Sequence, residues 1–288
     1  MTAMIEKPSM ATGEVIENLV VAPEHFRLTL RLPSSMATPQ PGQFVMIRDP
    51  GHGEPLLPRP LSVYGFHRDS GQAILELLYR VAGRGTSLFS RLKTGSILTV
   101  LGPLGQGFTL ERSQQVILLA GGVGVAPLTH LLHQGLLREE IWKGTRITAY
   151  VGARTSQFLA GMERLKGSCD LLMATDDGSA GYHGLVTDLL CRDLGGFNPA
   201  KTMIYACGPT PMIRSLARII GNTSIRCEVS LEERMACGIG ACLGCAVAVR
   251  NEKGESVYRR VCHEGPVFNI RELLWKSPDE QGKSDGNG

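Results

Sequence analysis

From Gly13 to about Leu110 the apolar residues arrive in short runs: Gly13–Val21, Phe26–Leu32, Gln43–Ile47, Leu61–Phe66, Ile74–Val81 and Ser96–Leu101. Proline and glycine turns separate them, and short strand-like runs in that rhythm predict a small antiparallel β-barrel. At Val116 the pattern changes. Val116–Ala120, Ile147–Gly152, Leu171–Thr175 and Met203–Ala206 are short, continuously apolar runs of the buried-strand type. Between and after them, Leu128–Leu136, Gln157–Leu165, Leu185–Arg192 and Pro211–Ile220 carry apolar residues at three- and four-residue steps, the signature of an amphipathic helix. Alternating strands and helices predict a doubly wound parallel sheet. A third region follows Ile225 and ends near Trp275, and both chain ends are polar, glycine-rich and aperiodic. The expected organisation is a disordered tail at 1–12, a barrel at 13–110, an α/β domain at 111–225, a small module at 226–275 and a second disordered tail at 276–288.

The 288 residues leave room for two domains and a small module. With 43% hydrophobic and 20% charged residues, the composition is that of a folded globular chain rather than a disordered one. The net charge of +3 is small, and no basic stripe with interleaved aromatics suggests nucleic-acid binding. The longest apolar stretch, Val116 to Leu128, contains three glycines and is too short to span a bilayer. Met1 to Gly13 has neither a cationic start nor an apolar core, so the expected location is cytoplasmic.

Cysteine spacing adds the first chemistry. Cys237, Cys242, Cys245 and Cys262 form a C-x4-C-x2-C pattern with a distant fourth member, the plant-type [2Fe-2S] arrangement. Gly238, Gly240 and Gly244 suit a loop that must curl around a cluster and turn its N–H groups toward sulfur. Zinc is the competing metal, but zinc sites favour two short hooks, and here only Cys242 and Cys245 make one. The remaining cysteines, Cys169, Cys191, Cys207 and Cys227, are expected to be free thiols in a reducing compartment. His263 follows a ligand directly, but a Rieske centre needs two histidines and four cysteines already suffice. Glu232 and Glu233 read as a solvated charged face beside Arg234.

Within the barrel, Arg59-Pro60-Leu61-Ser62 places a bidentate cation and a hydroxyl on one strand. Arg59 would clamp a pyrophosphate, with Ser62 beside the redox ring of a flavin, or would be a surface arginine beside a proline-rich turn. Leu78-Tyr79-Arg80 ends a later strand, and Gly85 and Thr86 lie in a glycine-rich turn entering a helix, an anion-binding arrangement. Gly102–Phe108 reads either as a pocket-closing segment or as a hinge between domains.

In the α/β region, Gly121, Gly122 and Gly124 form a turn between a buried strand and a helix, where backbone can approach a phosphate or ribose. It is not the G-x-G-x-x-G fingerprint, because Pro127 takes the last position. Cys207, Gly208 and Pro209 fall at the carboxyl edge of the sheet, where such folds bind ligands, and Cys207 is a candidate to face a nicotinamide. A buried spare thiol is the alternative. Asp176 and Asp177 would repel a 2′-phosphate, favouring NAD over NADP, or would be solvated loop acids.

These motifs, in this order, resemble the ferredoxin-reductase superfamily over about residues 13–275. More narrowly, Val229–Cys245 with Arg260–Phe268 resembles the electron-transfer subunits of dihydroorotate dehydrogenase B. That resemblance implies FAD in the barrel, NAD at the edge of the parallel sheet and the cluster in the C-terminal module. It also implies an FMN-containing catalytic subunit that oxidises dihydroorotate, in a heterotetramer serving pyrimidine biosynthesis. Leu61 departs from the wider superfamily, in which many members place an aromatic that stacks on the flavin. Two other readings stay open: a diaphorase subunit of a hydrogenase, sulfide dehydrogenase or transhydrogenase complex, and a zinc-containing nucleotide-binding module.

Overall fold

A computed structural model describes residues 8–51 and 57–275. Residues 1–7 of the tail expected at 1–12, and the tail expected at 276–288, lie outside the described residues. Six strands, β1 (Ser9–Ala22), β2 (His25–Leu32), β3 (Phe44–Arg48), β4 (Arg59–Asp69), β5 (Gln72–Arg80) and β6 (Ile97–Leu104), close into a barrel. Its order is β1-β2-β5-β4-β3-β6, with every pairing antiparallel. Ser9–Thr12 pair with β6, so the barrel begins before the expected boundary at 13. Helix α1 (Arg84–Phe89) sits between β5 and β6.

Strand alternation builds the barrel core. In β2 the inward residues Leu28, Leu30 and Leu32 are buried while Arg27, Thr29 and Arg31 face outward. β5 breaks this rule: everything from Ala73 to Tyr79 is buried, because its outer face is also covered. The cover is the second domain, whose Val125, Met162 and Leu165 share a core with Tyr64 and Leu78 of the barrel.

That domain carries β7 (Gln115–Gly121), α2 (Val125–Leu137), α3 (Glu139–Trp142), β8 (Arg146–Ala153), β9 (Asp170–Thr175), β10 (Tyr182–His183), α4 (Val186–Asp193), β11 (Thr202–Cys207), α5 (Thr210–Ile220) and β12 (Arg226–Ser230). A hairpin, β13 (Ala246–Arg250) with β14 (Ser256–Arg260), precedes the last strand, β15 (Val267–Asn269). The large sheet runs β10-β9-β8-β7-β11-β12-β15 and is parallel except at β15.

Two features differ from the sequence pattern. The helix expected at Gln157–Leu165 is absent: only Ser156–Phe158 form a single 3-10 turn. Gly161 takes φ +73° there, and its carbonyl accepts the Tyr64 hydroxyl at 3.2 Å, so the segment is pinned to the barrel instead of coiling. The boundary at 225/226 is also crossed by the sheet, since β12 and β15 belong to it. The cluster-loop module is therefore threaded out of the α/β domain and returned to its edge.

Candidate functional site

One cavity of about 670 Å³ opens where the barrel, the carboxyl ends of the parallel strands and the segment after β12 converge. Of the residues picked from sequence, Pro60, Leu61, Ser62, Leu78, Tyr79, Arg80, Gly121, Gly122 and Pro209 form its wall. β4 and β5 are neighbours in the barrel, which is why two motifs far apart in sequence face one space. β7 and β11 are neighbours in the sheet, which brings Gly121 beside Pro209. A side chain on Gly121 would meet the Pro209 ring at 2.9 Å and the Met212 sulfur at 2.8 Å, so this floor admits only backbone. Gly122 has φ +55° and open space above it, a conformation and a clearance that favour glycine.

Arg59, Gly85 and Thr86 adjoin the cavity rather than line it. The Arg59 guanidinium lies directly against Gly85, leaving no room for a β-carbon there. The Thr86 hydroxyl accepts from Ala82 N at 2.9 Å and Gly83 N at 3.2 Å, which shapes the turn entering α1. Ala82 is itself in the cavity wall, so the cation and the turn extend the site along the barrel. Arg59, whose Nη1 also donates to Leu57 O at 2.9 Å, is the group of this strip suited to a diphosphate.

Cys207 does not face the cavity. It is 1% exposed and lies beneath the glycine floor, where Gly124 packs on its carbonyl and Gly208 on the backbone of Gly121. Burial, with the nearby Glu232 carboxylate adding to it, pushes the thiol well above its ordinary range, and a bond from Ser230 offsets only part. Gly124, Cys207 and Gly208 thus shape the floor from below. Gly102–Phe108 is absent from the wall as well: Gln106 N donates to Gly265 O, and Phe108 N donates to Pro41 O at 2.7 Å, so the segment ties the barrel to the C-terminal region.

The sequence reading missed several wall residues: His25, Phe44, Arg154, Phe158 and the run Ser230–Glu233 with Met235. Glu232 and Glu233 are exposed, as expected, and both also border the cavity. The His25 and Phe158 rings meet across the two domains at 5.8 Å, tilted by 55°. Asp176 lines the cavity, whereas Asp177 instead accepts from Ser179 in an exposed turn.

Beyond Met235 the chain enters the thiol loop. All eight cysteines are free. The four clustered ones stand as two pairs: Cys237 with Cys242, and Cys245 with Cys262. Burial opposes ionisation of Cys237, yet the N–H groups of Ile239, Ala241 and Cys242, with the Cys242 thiol, bring it down to about 6. Gly240 N donates to Cys262 Sγ at 3.1 Å, and Cys262 N donates to Cys245 Sγ at 3.4 Å. Among the described residues no three His, Cys, Asp or Glu close around a single ion position. Two adjacent thiol pairs, dressed by backbone N–H groups, fit a dinuclear cluster better than one tetrahedral ion.

The loop is anchored on both sides. Gly238, at φ +72°, lies against Met46 of β3, and Met46 pairs with Pro60 of β4. Arg260 donates to Gly240 O at 2.7 Å and is gripped by Glu264, whose carboxyl this partner brings down to about 2. His263 is largely exposed and pairs with Glu264 at 3.2 Å, in a structural role.

A six-stranded barrel and a parallel sheet with a glycine floor meeting at one cavity, with a thiol loop just beyond Met235 of its wall, define a ferredoxin-reductase-like oxidoreductase. Residues 118–218 match the oxidoreductase NAD-binding domain, and residues 232–274 match the iron-sulfur cluster binding domain of dihydroorotate dehydrogenase B. The chain belongs to the family of dihydroorotate dehydrogenase B electron transfer subunits. It is 38% identical over 263 residues to the NAD(+)-type subunit of Caldanaerobacter subterraneus subsp. tengcongensis, covering 91% of this chain and 98% of that one. The corresponding subunit of Desulforamulus reducens is 37% identical over 266 residues, covering 92% and 98%. Among solved structures, an NADH-dependent reduced ferredoxin-NADP oxidoreductase superposes with a TM-score of 0.78 at 31% identity, covering 94% of this chain and 91% of that one. A Neisseria gonorrhoeae ferredoxin NADP+ reductase with bound FAD and NADP shares the fold, with a TM-score of 0.63 at 16% identity over 77% of this chain and 99% of that one. Among the described residues no helix is long and apolar enough to cross a membrane.

Proposed function

We propose that this chain carries electrons between an FMN-containing dihydroorotate dehydrogenase subunit and NAD, through a [2Fe-2S] cluster and FAD. The observation that carries the reading is the single cavity shared by the Pro60–Ser62 strand, the Gly121–Gly122 floor and the segment leading into the thiol loop. Cys237, Cys242, Cys245 and Cys262 would hold the cluster. Arg59, Gly85 and Thr86 would hold the FAD diphosphate, and Pro60, Leu61, Ser62, Leu78, Tyr79 and Arg80 its ring and ribityl chain. Gly121, Gly122 and Pro209 would take the nicotinamide half of NAD, with Gly124, Cys207 and Gly208 shaping that floor from behind. A bound flavin supplies the exchange between one-electron and two-electron transfer.

The protein's own part is placement. Met46 lies between the thiol loop and the flavin strand, so the two redox sites share a packed wall. Leu61 is aliphatic and 9% exposed, so it would offer a bound flavin ring an apolar side chain and no aromatic stack. The narrower assignments, a heterotetramer and a cytoplasmic location, rest on the family alone.

The test is Cys242→Ser in the complex purified with its FMN subunit. FAD content should stay near one per chain while iron and NAD-linked transfer from the FMN subunit are lost. Retention of both iron and transfer would refute the ligand set. The likeness to the NADH-dependent ferredoxin-NADP oxidoreductase favours a second reading, a diaphorase subunit of a transhydrogenase-type complex. Identity of the co-purifying flavoprotein separates the two.

A further inference from the structure

We propose that a basic bowl at the entry end of the parallel sheet is a second ligand site, for a small molecule that carries a diphosphate or a longer phosphate chain. The bowl shares no residue with the cofactor cavity, so the site is independent of the electron-transfer reading.

The bowl has a volume of about 520 Å³ and lies where the chain enters β7, β8, β11 and β12. Arg112 comes from the connection into β7, Lys143 from the turn after α3, Lys201 from the 3-10 turn before β11, and Arg226 opens β12. Open parallel sheets bind their cofactors at the opposite, carboxyl edge. The seven residues of β7 separate the two ends by about 20 Å, so these cations reach no part of the cofactor cavity.

Backbone and side-chain bonds preset the bowl. Gln114 N donates to Lys201 O at 3.1 Å, Arg146 N donates to Gln114 O at 2.9 Å, and the Thr145 hydroxyl donates to Ser113 O at 2.8 Å. The connections that carry Arg112, Lys143 and Lys201 are thereby tied to one another. Arg226 is held by Glu111 and donates to Ser113 Oγ at 3.3 Å. Only the tips of the long side chains remain to close on a ligand.

Charge is what gives the bowl a ligand class. Exposed arginines elsewhere in the fold hold carboxylates: Arg31 with Glu14, Arg80 with Glu24 and Arg146 with Asp170. Arg112, Lys143 and Lys201 make no ion pair among the described residues. Glu140 is the one acid among the described residues of the wall, and Glu111 is already taken by Arg226. Like charges gathered in a concavity focus a positive potential there. A ligand with several negative charges cancels it, since a guanidinium grips a phosphate with two parallel bonds and an ammonium answers it as a point charge. One phosphate meets only part of the set, whereas a diphosphate spans it. Ile141 and Ala200 add an apolar stretch of wall for an organic group attached to the phosphates.

The test is calorimetric titration of the full-length, FAD-loaded chain in saturating NAD+, with inorganic phosphate, pyrophosphate and ADP as probes. Pyrophosphate should bind saturably and more tightly than phosphate, and its binding should weaken as salt rises. Tighter binding of ADP than of pyrophosphate assigns a nucleotide; equal or weaker binding assigns the diphosphate alone. Lys143→Gln combined with Lys201→Gln should raise the Kd for pyrophosphate at least about tenfold, because two charge-assisted bonds are lost. Arg112→Gln should act in the same direction. Both variants should keep the parent Tm and the parent rate of flavin bleaching by NADH. Lys253→Gln, in the turn between β13 and β14, should leave the Kd unchanged. No saturable binding of pyrophosphate, a Kd unmoved by the bowl variants, or equal weakening by Lys253→Gln would overturn the proposal.

Discussion

Arg164 bolts the α/β domain to the barrel, and its removal gives a calculable loss. Its guanidinium pairs bidentately with Glu76 of β5, one arm at 2.7 Å and the other shorter, and lies 4.8 Å over the Tyr64 ring. The Glu76 side chain is 9% exposed and that of Arg164 27%. Gly65, between them on β4, leaves the space they need: a β-carbon there would strike both. Stripping one partner from a buried pair costs about 3–5 kcal/mol, which the partial exposure of Arg164 reduces to about 2–3 kcal/mol. The lost cation–π contact adds about 0.5–1 kcal/mol. Arg164→Met should therefore lower unfolding free energy by about 3 kcal/mol, read by urea titration of the FAD-loaded chain. Glu76→Leu combined with Arg164→Met should recover at least about half of that, because no charge is then left buried. A loss below about 0.5 kcal/mol, the value of an exposed pair, would refute the latch.

Further outcomes follow from single residues. His130 on α2 is 2% exposed with neither ring nitrogen partnered, and burial, with His133 adding to it, lowers it to about 4. The unfolded chain then binds more protons between pH 6.5 and 4, so stability is full above about 6.5 and falls across that window, by about 3 kcal/mol from this group. In His130→Leu the drop between pH 7 and pH 4, measured by urea titration, should shrink by that amount; an unchanged drop would contradict it. Asp176→Ser should raise the ratio of kcat/KM for NADPH over NADH at least about tenfold, about 1.4 kcal/mol, by removing charge that would face a 2′-phosphate. A ratio that stays put would remove Asp176 from cofactor selection.

Much of the architecture is legible in the chain because strand alternation and turn residues are local. The six barrel strands and the four main parallel strands fall within a few residues of their expected limits. Gln157–Leu165 misled because its apolar spacing does suit a helix. What decides it is tertiary: Ala160, Met162 and Leu165 are buried, and Gly161 is held by Tyr64. The cysteine spacing points to the same segment, 232–274, that matches the iron-sulfur binding domain, because ligand geometry is imposed by the metal and written in short separations. Cys207, expected as a candidate to face the nicotinamide, lies buried under the floor for a long-range reason. Whether a residue at a sheet edge faces a cavity or lies under its floor depends on β12 joining β11, a long-range pairing that no local pattern reports.

The most direct test of the account is an anaerobic titration of the purified chain with NADH, followed by absorbance and paramagnetic resonance. The account predicts that flavin and iron-sulfur bands bleach together, with a paramagnetic reduced cluster and an end point of about one and a half NADH per chain, two electrons for FAD and one for the cluster. A flavin that bleaches while the thiol loop stays silent, or a loop that holds zinc, would contradict it.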